Sequence, residues 1–474
     1  MKRGACAVAA LFLVSACTAG PDYARPERDA PPHFMLQEVL GALNDDKTAA
    51  PLAADWWRGF NDPLLDGLVA TALADNLDIA EALGRVAEAR ADLRAAGADY
   101  RPQTGLAGGG DASREHDLTS GDHRDNSASA DGFLGLSITP DLWGKGRRDR
   151  EAALAQLNGT KAALRGVVLD TSVAVAREYL LLRGNQQQLA LLRESVELQE
   201  KTLTIVQSRY RAGLAPELDV RRAETSVESL RANIPDLEQE LRRSRHALAV
   251  LAGLYPGGLE TNLTKAAPVP SYGRAVPALV PLALLDARPD VAAAEEALKA
   301  AIAAIGIAEA DYFPELTLSG QIGLGVSAAS GMGAMDVLIG AVSAALEQVL
   351  TDGGARRARL EGAKARADQA LARYELTLRR AVEEVENALS AIKASHDRQG
   401  SLGKAEKASA RSFYQAEILY RRGLISFLDV VDAQRVLANA RQQLAREETT
   451  YATRIADLFA ALGAEVTRPE PTAP

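Results

Sequence analysis

Two periodicities organise the chain. Leu316, Leu318, Ile322 and Leu324 alternate with Thr317, Ser319, Gln321 and Gly323, the period of a strand with one apolar and one polar face. A glycine-rich break at Ser330–Gly333 then precedes a second, weaker strand from about Val337 to Leu346. The first half of the chain has the same shape. A glycine-rich strand is predicted from about Thr104 to Ser113, a polar loop over 114–130, and a strand over Phe133–Thr139 with Leu134, Leu136 and Ile138 on one face. The longer period is seven. Val168, Val175, Leu182, Leu189, Val196, Leu203 and Tyr210 recur at that interval. Tyr374, Leu378, Ala381, Val385, Ala388, Leu389 and Ile392 mark a second apolar seam. A sustained heptad predicts a left-handed coiled coil. Each such helix covers about 60 residues, roughly 90 Å at 1.5 Å per residue. Gly213 and Gly423 stand where each helix is expected to stop. Returning helices are predicted over about 217–252 and 427–462, with Pro235 expected to kink or break the first. A shorter helix is expected from near Arg288 to Ala310, which Pro314 cannot prolong.

These elements come in two copies. At an offset of 212, Ala98, Asp99, Tyr100 and Pro102 match Ala310, Asp311, Tyr312 and Pro314. Near residue 146 the best offset is 208, where Leu142, Gly146 and Arg148 meet Leu350, Gly354 and Arg356. "YRAGLAPELDV" (210–220) meets "YRRGLISFLDV" (420–430). One unit of about 200 residues is therefore written twice. The duplicated Asp-Tyr-x-Pro, with Tyr100, Pro102, Tyr312 and Pro314, marks the junction where a helix ends and a strand begins. The expected organisation is a signal peptide over 1–16, an extended segment over 17–60, a first repeat over 61–262, a linker over 263–280, a second repeat over 281–465 and a tail over 466–474.

The first residues change the compartment. Lys2 and Arg3 precede a nearly unbroken apolar run to Ala16, which reads as a secretory signal. Val14-Ser15-Ala16-Cys17 resembles a bacterial lipobox, and Cys6 leaves with the signal, so Cys17 has no disulfide partner. A covalent lipid on Cys17 is the expected modification, contributing about 0.8 kcal/mol per buried methylene. Formal net charge is −9 among 474 residues, which argues against a nucleic-acid partner. After the signal no run of eighteen apolar residues occurs, which excludes a helical span but not a β-barrel. Each repeat supplies two strands, so one chain supplies four. Four cannot close a barrel, and open sheet edges are not tolerated in lipid, so several chains must share one. Three would supply twelve strands. A helical envelope scaffold whose strands pack on its own core is the alternative. No catalytic motif, cofactor site or metal site is evident; the five histidines are scattered, and His116 and His123, both in the polar loop, give weak support for a surface metal site.

With those features placed, the chain resembles the TolC-like outer membrane factors of tripartite, resistance-nodulation-division-type efflux systems, in their lipoprotein branch. "CTAGPDYARP" (17–26), "DWWRGFNDPLLDGLVATALADNLDI" (55–79), "ADYRPQ", "ADYFPE", "DLWGKGRR" (141–148) and "YRRGLISFLDVVDAQ" (420–434) carry the likeness in the family's order. The resemblance implies a mostly α fold with a membrane β-barrel. A homotrimer would form a 12-stranded barrel in the outer membrane and a periplasmic coiled-coil tunnel. It implies a passive exit duct for drugs, metals or other small compounds, working with a periplasmic adaptor protein and an inner membrane pump. A type I protein secretion channel is the nearer alternative. The hairpins 203–220 and 413–430 are the tips farthest from the membrane. Asp429 and Asp432, three apart on one helix face, match family positions lining a gate, and a trimer would stack them as carboxylate rings. Helix capping is the plainer reading of Asp429, since the first repeat has Asp219 there but Arg222 opposite Asp432. Tyr420 matches a position that helps hold the closed state. The family's gate arginine is missing at Ile425, and Arg421 or Arg422 could replace it. Arg211, Gly213, Leu214, Arg421, Arg422, Gly423 and Leu424 resemble turn motifs that dock adaptor hairpins. Lys145, Arg147, Arg148 and Arg150 read as a solvated helix start just below the membrane.

Overall fold

The computed structural model describes residues 18–27, 31, 33–35, 54–116, 124–259, 263–274, 288–329 and 332–467. The signal region, Cys17 and His123 lie outside the described residues. Inter-residue contacts divide the chain into two units, the first comprising Met1–Glu27, Arg85–Lys161 and Ala293–Glu375, the second comprising the remainder.

The first unit holds the strands. β1 (Gln103–His116), β2 (Arg124–Ile138), β3 (Glu315–Ala329) and β4 (Met332–Glu347) form one antiparallel sheet in the order β1-β2-β3-β4. The polar loop expected over 114–130 is much shorter, because pairing runs from Gln103↔Ser137 out to His116↔Arg124. Polar residues there did not signal a loop, because a strand can pair along its backbone while presenting polar side chains. The register pairs even with even: Leu106↔Leu134, Leu134↔Ile322 and Leu324↔Leu338. Leu106, Leu134, Leu136, Leu318, Ile322, Leu324, Leu338, Val342 and Leu346 therefore share one face, and each is exposed. The opposite face carries mainly glycine, serine and alanine, with Val337 and Ile339 among them and Phe133 lying across Gly323. A Cβ at Gly323 would stand 2.3 Å from Phe133 Cδ1 and 2.4 Å from the Gly132 carbonyl oxygen, so glycine is required there. No described strand pairs with the outer edges of β1 and β4.

The helix-to-strand junctions sit where the duplicated motif predicts. Ala98–Tyr100 forms a single 3-10 turn before β1, and the second helix ends at Ala310, shortly before β3. Trp143 joins the two repeats: its ring stacks on Phe313 at 4.8 Å and its Nε1 donates to the Pro314 carbonyl at 2.7 Å. The basic cluster is only in part the solvated helix start expected from sequence: Arg147 and Arg150 are exposed, Arg148 and Lys145 are not. Arg148 is buried at 3% exposure, and Lys145 pairs with Asp311 at 2.7 Å. Acceptors distant in sequence surround these groups, so their charge did not imply solvent.

The second unit holds most of the coiled coil. The shorter helices are α1 (Pro63–Asp75), which lies in this unit, and α2 (Leu77–Ala95) and, in the second repeat, α6 (Pro289–Ala310), which lie mostly in the first. The long helices are α3 (Lys145–Arg211) and α7 (Ala355–Arg421), each 67 residues, or about 100 Å. α4 (Glu217–Arg231), α5 (Ile234–Leu251) and α8 (Phe427–Ala461) return from them. The break between α4 and α5 lies where Pro235 lacks the N–H that would bond back one turn. Val168, Val175, Leu182, Leu189 and Val196 are all buried, as are Tyr374, Ala381, Val385, Leu389 and Ile392. A core of Trp56, Phe60 and Phe459 closes this part, with Trp56 stacked on Phe459 at 5.1 Å. Asp62 anchors it twice, capping α1 through Leu64 N at 2.9 Å and accepting the Tyr179 hydroxyl at 2.5 Å.

Candidate functional site at the hairpin tips

Both tips lie in the second unit and are built the same way. α3 and α7 end in matching turns, with Gly213 at φ 74° and Gly423 at φ 75°. Leu214 N bonds back to the Arg209 carbonyl at 2.8 Å, and Leu424 N to the Leu419 carbonyl at 3.0 Å. These six-to-one bonds make a Schellman turn, and only glycine enters the left-handed region there without strain. The turns leave Leu214 68% and Leu424 67% exposed. Arg211 bonds locally to the Gln207 carbonyl, and Arg421 pairs with Glu417. Each tip thus presents an apolar residue beside a basic one, and Arg422 is likewise exposed.

The two aspartates have separate local roles. Asp429 is the third residue of α8 and forms a capping box with Ser426. The Ser426 backbone N–H and hydroxyl both donate to Asp429 Oδ2, at 2.9 and 2.7 Å. Asp429 N donates back to the Ser426 hydroxyl at 3.4 Å. Those bonds, the hydroxyl's first, hold its carboxyl below the ordinary carboxylate range. Asp432 instead accepts from Arg435 Nη2 at 2.7 Å, with both side chains largely exposed. In the first repeat, Asp219, the counterpart of Asp429, lies 3.9 Å from Arg222, the counterpart of Asp432.

Tyr420 is buried, and what buries it is a residue that sequence reasoning missed. The Arg209 guanidinium stacks on its ring at 4.8 Å and donates to its carbonyl at 3.2 Å. Phe427 packs on it at 5.9 Å between ring centres. Burial raises the Tyr420 hydroxyl pKa, and the nearby Arg209 charge opposes that rise. Val206, Val220 and Ala223 from the first hairpin meet Ala416, Tyr420, Phe427 and Val430 from the second in one apolar cluster. At the tips Arg209 joins the two hairpins, whereas Arg421 is engaged with Glu417. One signal was available: at the offset of 210, Arg209 corresponds to Leu419, a charge in one copy of an apolar position.

A sequence profile of the family described as "Outer membrane efflux protein" matches residues 68–254 and 280–464, one segment per repeat. The Nodulation protein T of Rhizobium leguminosarum bv. viciae is 33% identical over 457 residues, covering 95% of this chain and 92% of that protein. The toluene efflux pump outer membrane protein TtgC of Pseudomonas putida is 29% identical, covering 95% and 93%. Among solved structures, the outer-membrane channel OprN superposes with a TM-score of 0.87 at 32% identity, covering 94% of this chain and 99% of that one.

Proposed function

Because the chain belongs to the outer membrane efflux protein family, we propose that three copies pool their sheets into one barrel and their hairpins into a gated periplasmic end. The protein is an outer membrane efflux channel, the exit duct of a tripartite system, with its helices in the periplasm. The observation that carries the trimeric reading is the sheet. Its even face presents a row of exposed leucine, isoleucine and valine, its odd face is mostly glycine, serine and alanine, and its two edges lack partners among the described strands. A surface of that kind is stable in lipid only when closed. Three sheets of four strands give an even-numbered barrel of ordinary size. A lipid on Cys17 adds an anchor of its own.

At the tips, Asp429 and Asp432 line the aperture. The capping box keeps Asp429 ionised while it shapes the start of α8. Rings of such carboxylates favour cations. Arg209 and Tyr420 tie the second hairpin to the first, the contact that resists opening. Exposed Leu214 and Leu424, with Arg211, Arg421 and Arg422, form the face met by the adaptor's hairpins. Apolar contact there supplies affinity and the basic groups supply register. The pump supplies energy and the choice of cargo. No catalytic step, cofactor or resident metal is part of this reading.

The test is single-channel conductance of the purified full-length protein, beside Asp429→Ala/Asp432→Ala. A small cation-preferring conductance that grows and loses selectivity in the double variant supports the gate. Equal selectivity in both forms removes the aspartates from it.

A further inference from the structure

The two repeats diverge at one place that the channel reading does not use. Arg148 and Arg356 are equivalent at the offset of 208. Arg356 stays local: its Nε donates to Asp352, one turn back, at 3.0 Å, and its guanidinium lies 5.5 Å from the Tyr312 ring centre. Arg148 reaches residues 126–129 positions away. Its Nε donates to the Ala19 carbonyl at 3.0 Å. Its Nη2 donates to the Gly20 carbonyl at 3.0 Å and to Asp22 Oδ1 at 2.8 Å. Nη1 donates to Glu151 at 2.8 Å, and the side chain is 4% exposed. Arg147 Nη1 donates to the Thr18 hydroxyl at 2.8 Å, and Ala19 N to the Trp143 carbonyl at 2.9 Å. Farther along, Tyr23 and Arg25 both donate to Glu295, at 3.1 and 2.8 Å.

We infer that α3 and α6 carry a recognition site for the chain's own N-terminal segment, in which Arg148 reads the backbone of residues 19 and 20 and the carboxylate of Asp22. Three repeat-equivalent differences build it. Where the second repeat has Asp352, the partner of its arginine, the first has Gly144. That change frees Arg148, and a Cβ at Gly144 would meet Thr18 Cγ2 at 2.6 Å. Where the second repeat has Arg359, the first has Glu151, which accepts from Arg148. Where α2 carries Arg94, α6 carries Gly306 (offset 212). A Cβ at Gly306 would lie 2.8 Å from the Ala19 carbonyl oxygen and 2.9 Å from Arg148 Cγ. Gly20, at φ 84°, fits against that same bare stretch of helix. Duplication alone produces none of this; the first repeat lacks a partner for its arginine and the second lacks a side chain, at the two sides of one peptide.

The physical need runs both ways. With the segment in place a guanidinium this buried requires acceptors on its donors, and among the described residues the segment supplies all of them except Glu151. The planar fork suits two carbonyls and a carboxylate in a way an ammonium does not. The site fixes residues 18–22 to the first turn of α3, within ten residues of the end of β2. It therefore sets where a lipid on the preceding cysteine would begin. That last consequence rests on the proposed acylation; the recognition of the segment does not.

Hydrogen exchange on the full-length protein tests it. In Arg148→Gln and in Gly306→Ala, the amides of Ala19, whose N–H donates to the Trp143 carbonyl, and of Gly20, Asp22 and Tyr23 should exchange at least about tenfold faster, equivalent to about 1.4 kcal/mol. Arg356→Gln should leave them protected. Gly306→Ala raises helix propensity by about 1 kcal/mol, so release of the segment in that variant reports the steric socket and not a weakened helix. Arg148→Lys should release the segment in part. Unchanged protection in Gly306→Ala and Arg148→Gln overturns the proposal, and so does equal release by Arg356→Gln. Conductance reads the channel separately, so a variant that conducts normally with a released segment separates the two claims.

Discussion

Removing Arg209 should loosen the tips without unfolding them. Arg209→Ala deletes a guanidinium stacked on Tyr420 and a charged hydrogen bond to the Tyr420 carbonyl. A partly desolvated cation–π contact contributes about 0.5–2 kcal/mol. A hydrogen bond from a charged donor adds about 1.5 kcal/mol. The carbonyl can rehydrate at the tip, so about 2 kcal/mol net is a reasonable sum, or roughly 30-fold in an equilibrium between joined and parted hairpins. The apolar cluster of Val206, Val220, Phe427 and Val430 remains, so the fold should persist. Single-channel recording at fixed salt measures the open fraction directly. Arg209→Ala should raise it by about one to two decades, and Arg209→Lys by less, because an ammonium keeps the charge but not the flat stacking surface. Tyr420→Leu removes the ring but keeps the backbone carbonyl, so it should raise the open fraction by less than Arg209→Ala, and the double variant should be no worse than Arg209→Ala alone. A folded trimer in which Arg209→Ala gates like wild type would refute the argument. So would strict additivity of Arg209→Ala and Tyr420→Leu, since the two are held to be one contact.

Two further expectations concern single atoms. Ser426→Ala removes the leading cause of the depressed Asp429 carboxyl, so its titration should move upward toward an ordinary carboxylate. In wild type the cap's contribution is present above the ordinary carboxylate range and fades as pH falls through the lower folded value. Carboxyl chemical shifts in a pH series check this, and an unmoved Asp429 titration would contradict it. In the sheet, Gly323→Ala must displace Phe133 or the Gly132 backbone and should cost about 1–3 kcal/mol. Gly325→Ala meets nothing nearer than Ile339 Cδ1 at 3.8 Å and should be near neutral. Thermal stability of the assembled protein should separate the two, and equal behaviour would show that the Phe133 contact is not rigid.

Much of the fold was legible because it repeats with short periods. Alternation at Leu316–Leu324 and the heptads from Val168 and Tyr374 are local, and they reappear as the exposed sheet face and the buried seams. Gly213, Gly423 and Pro235 act through their own backbone geometry, and each does what its residue type predicts. The hairpin tips could be placed, since the second repeat mirrors the first; the aspartates are singled out by the family resemblance, because Arg222 stands opposite Asp432 in the first repeat.

What only tertiary structure decided are contacts between residues far apart in sequence. β1 reaches His116 because β2 supplies partners for a polar strand, and no local pattern separates such a strand from a loop. Arg209 meets Tyr420 across 211 positions, and Arg148 meets Asp22 across 126. Both arginines look solvated when read along the chain. A long basic side chain goes wherever acceptors are concentrated, and their concentration depends on which backbones the fold brings together. Sequence determined which faces are apolar and where helices stop; the packed chain determined which charges are buried and what they hold.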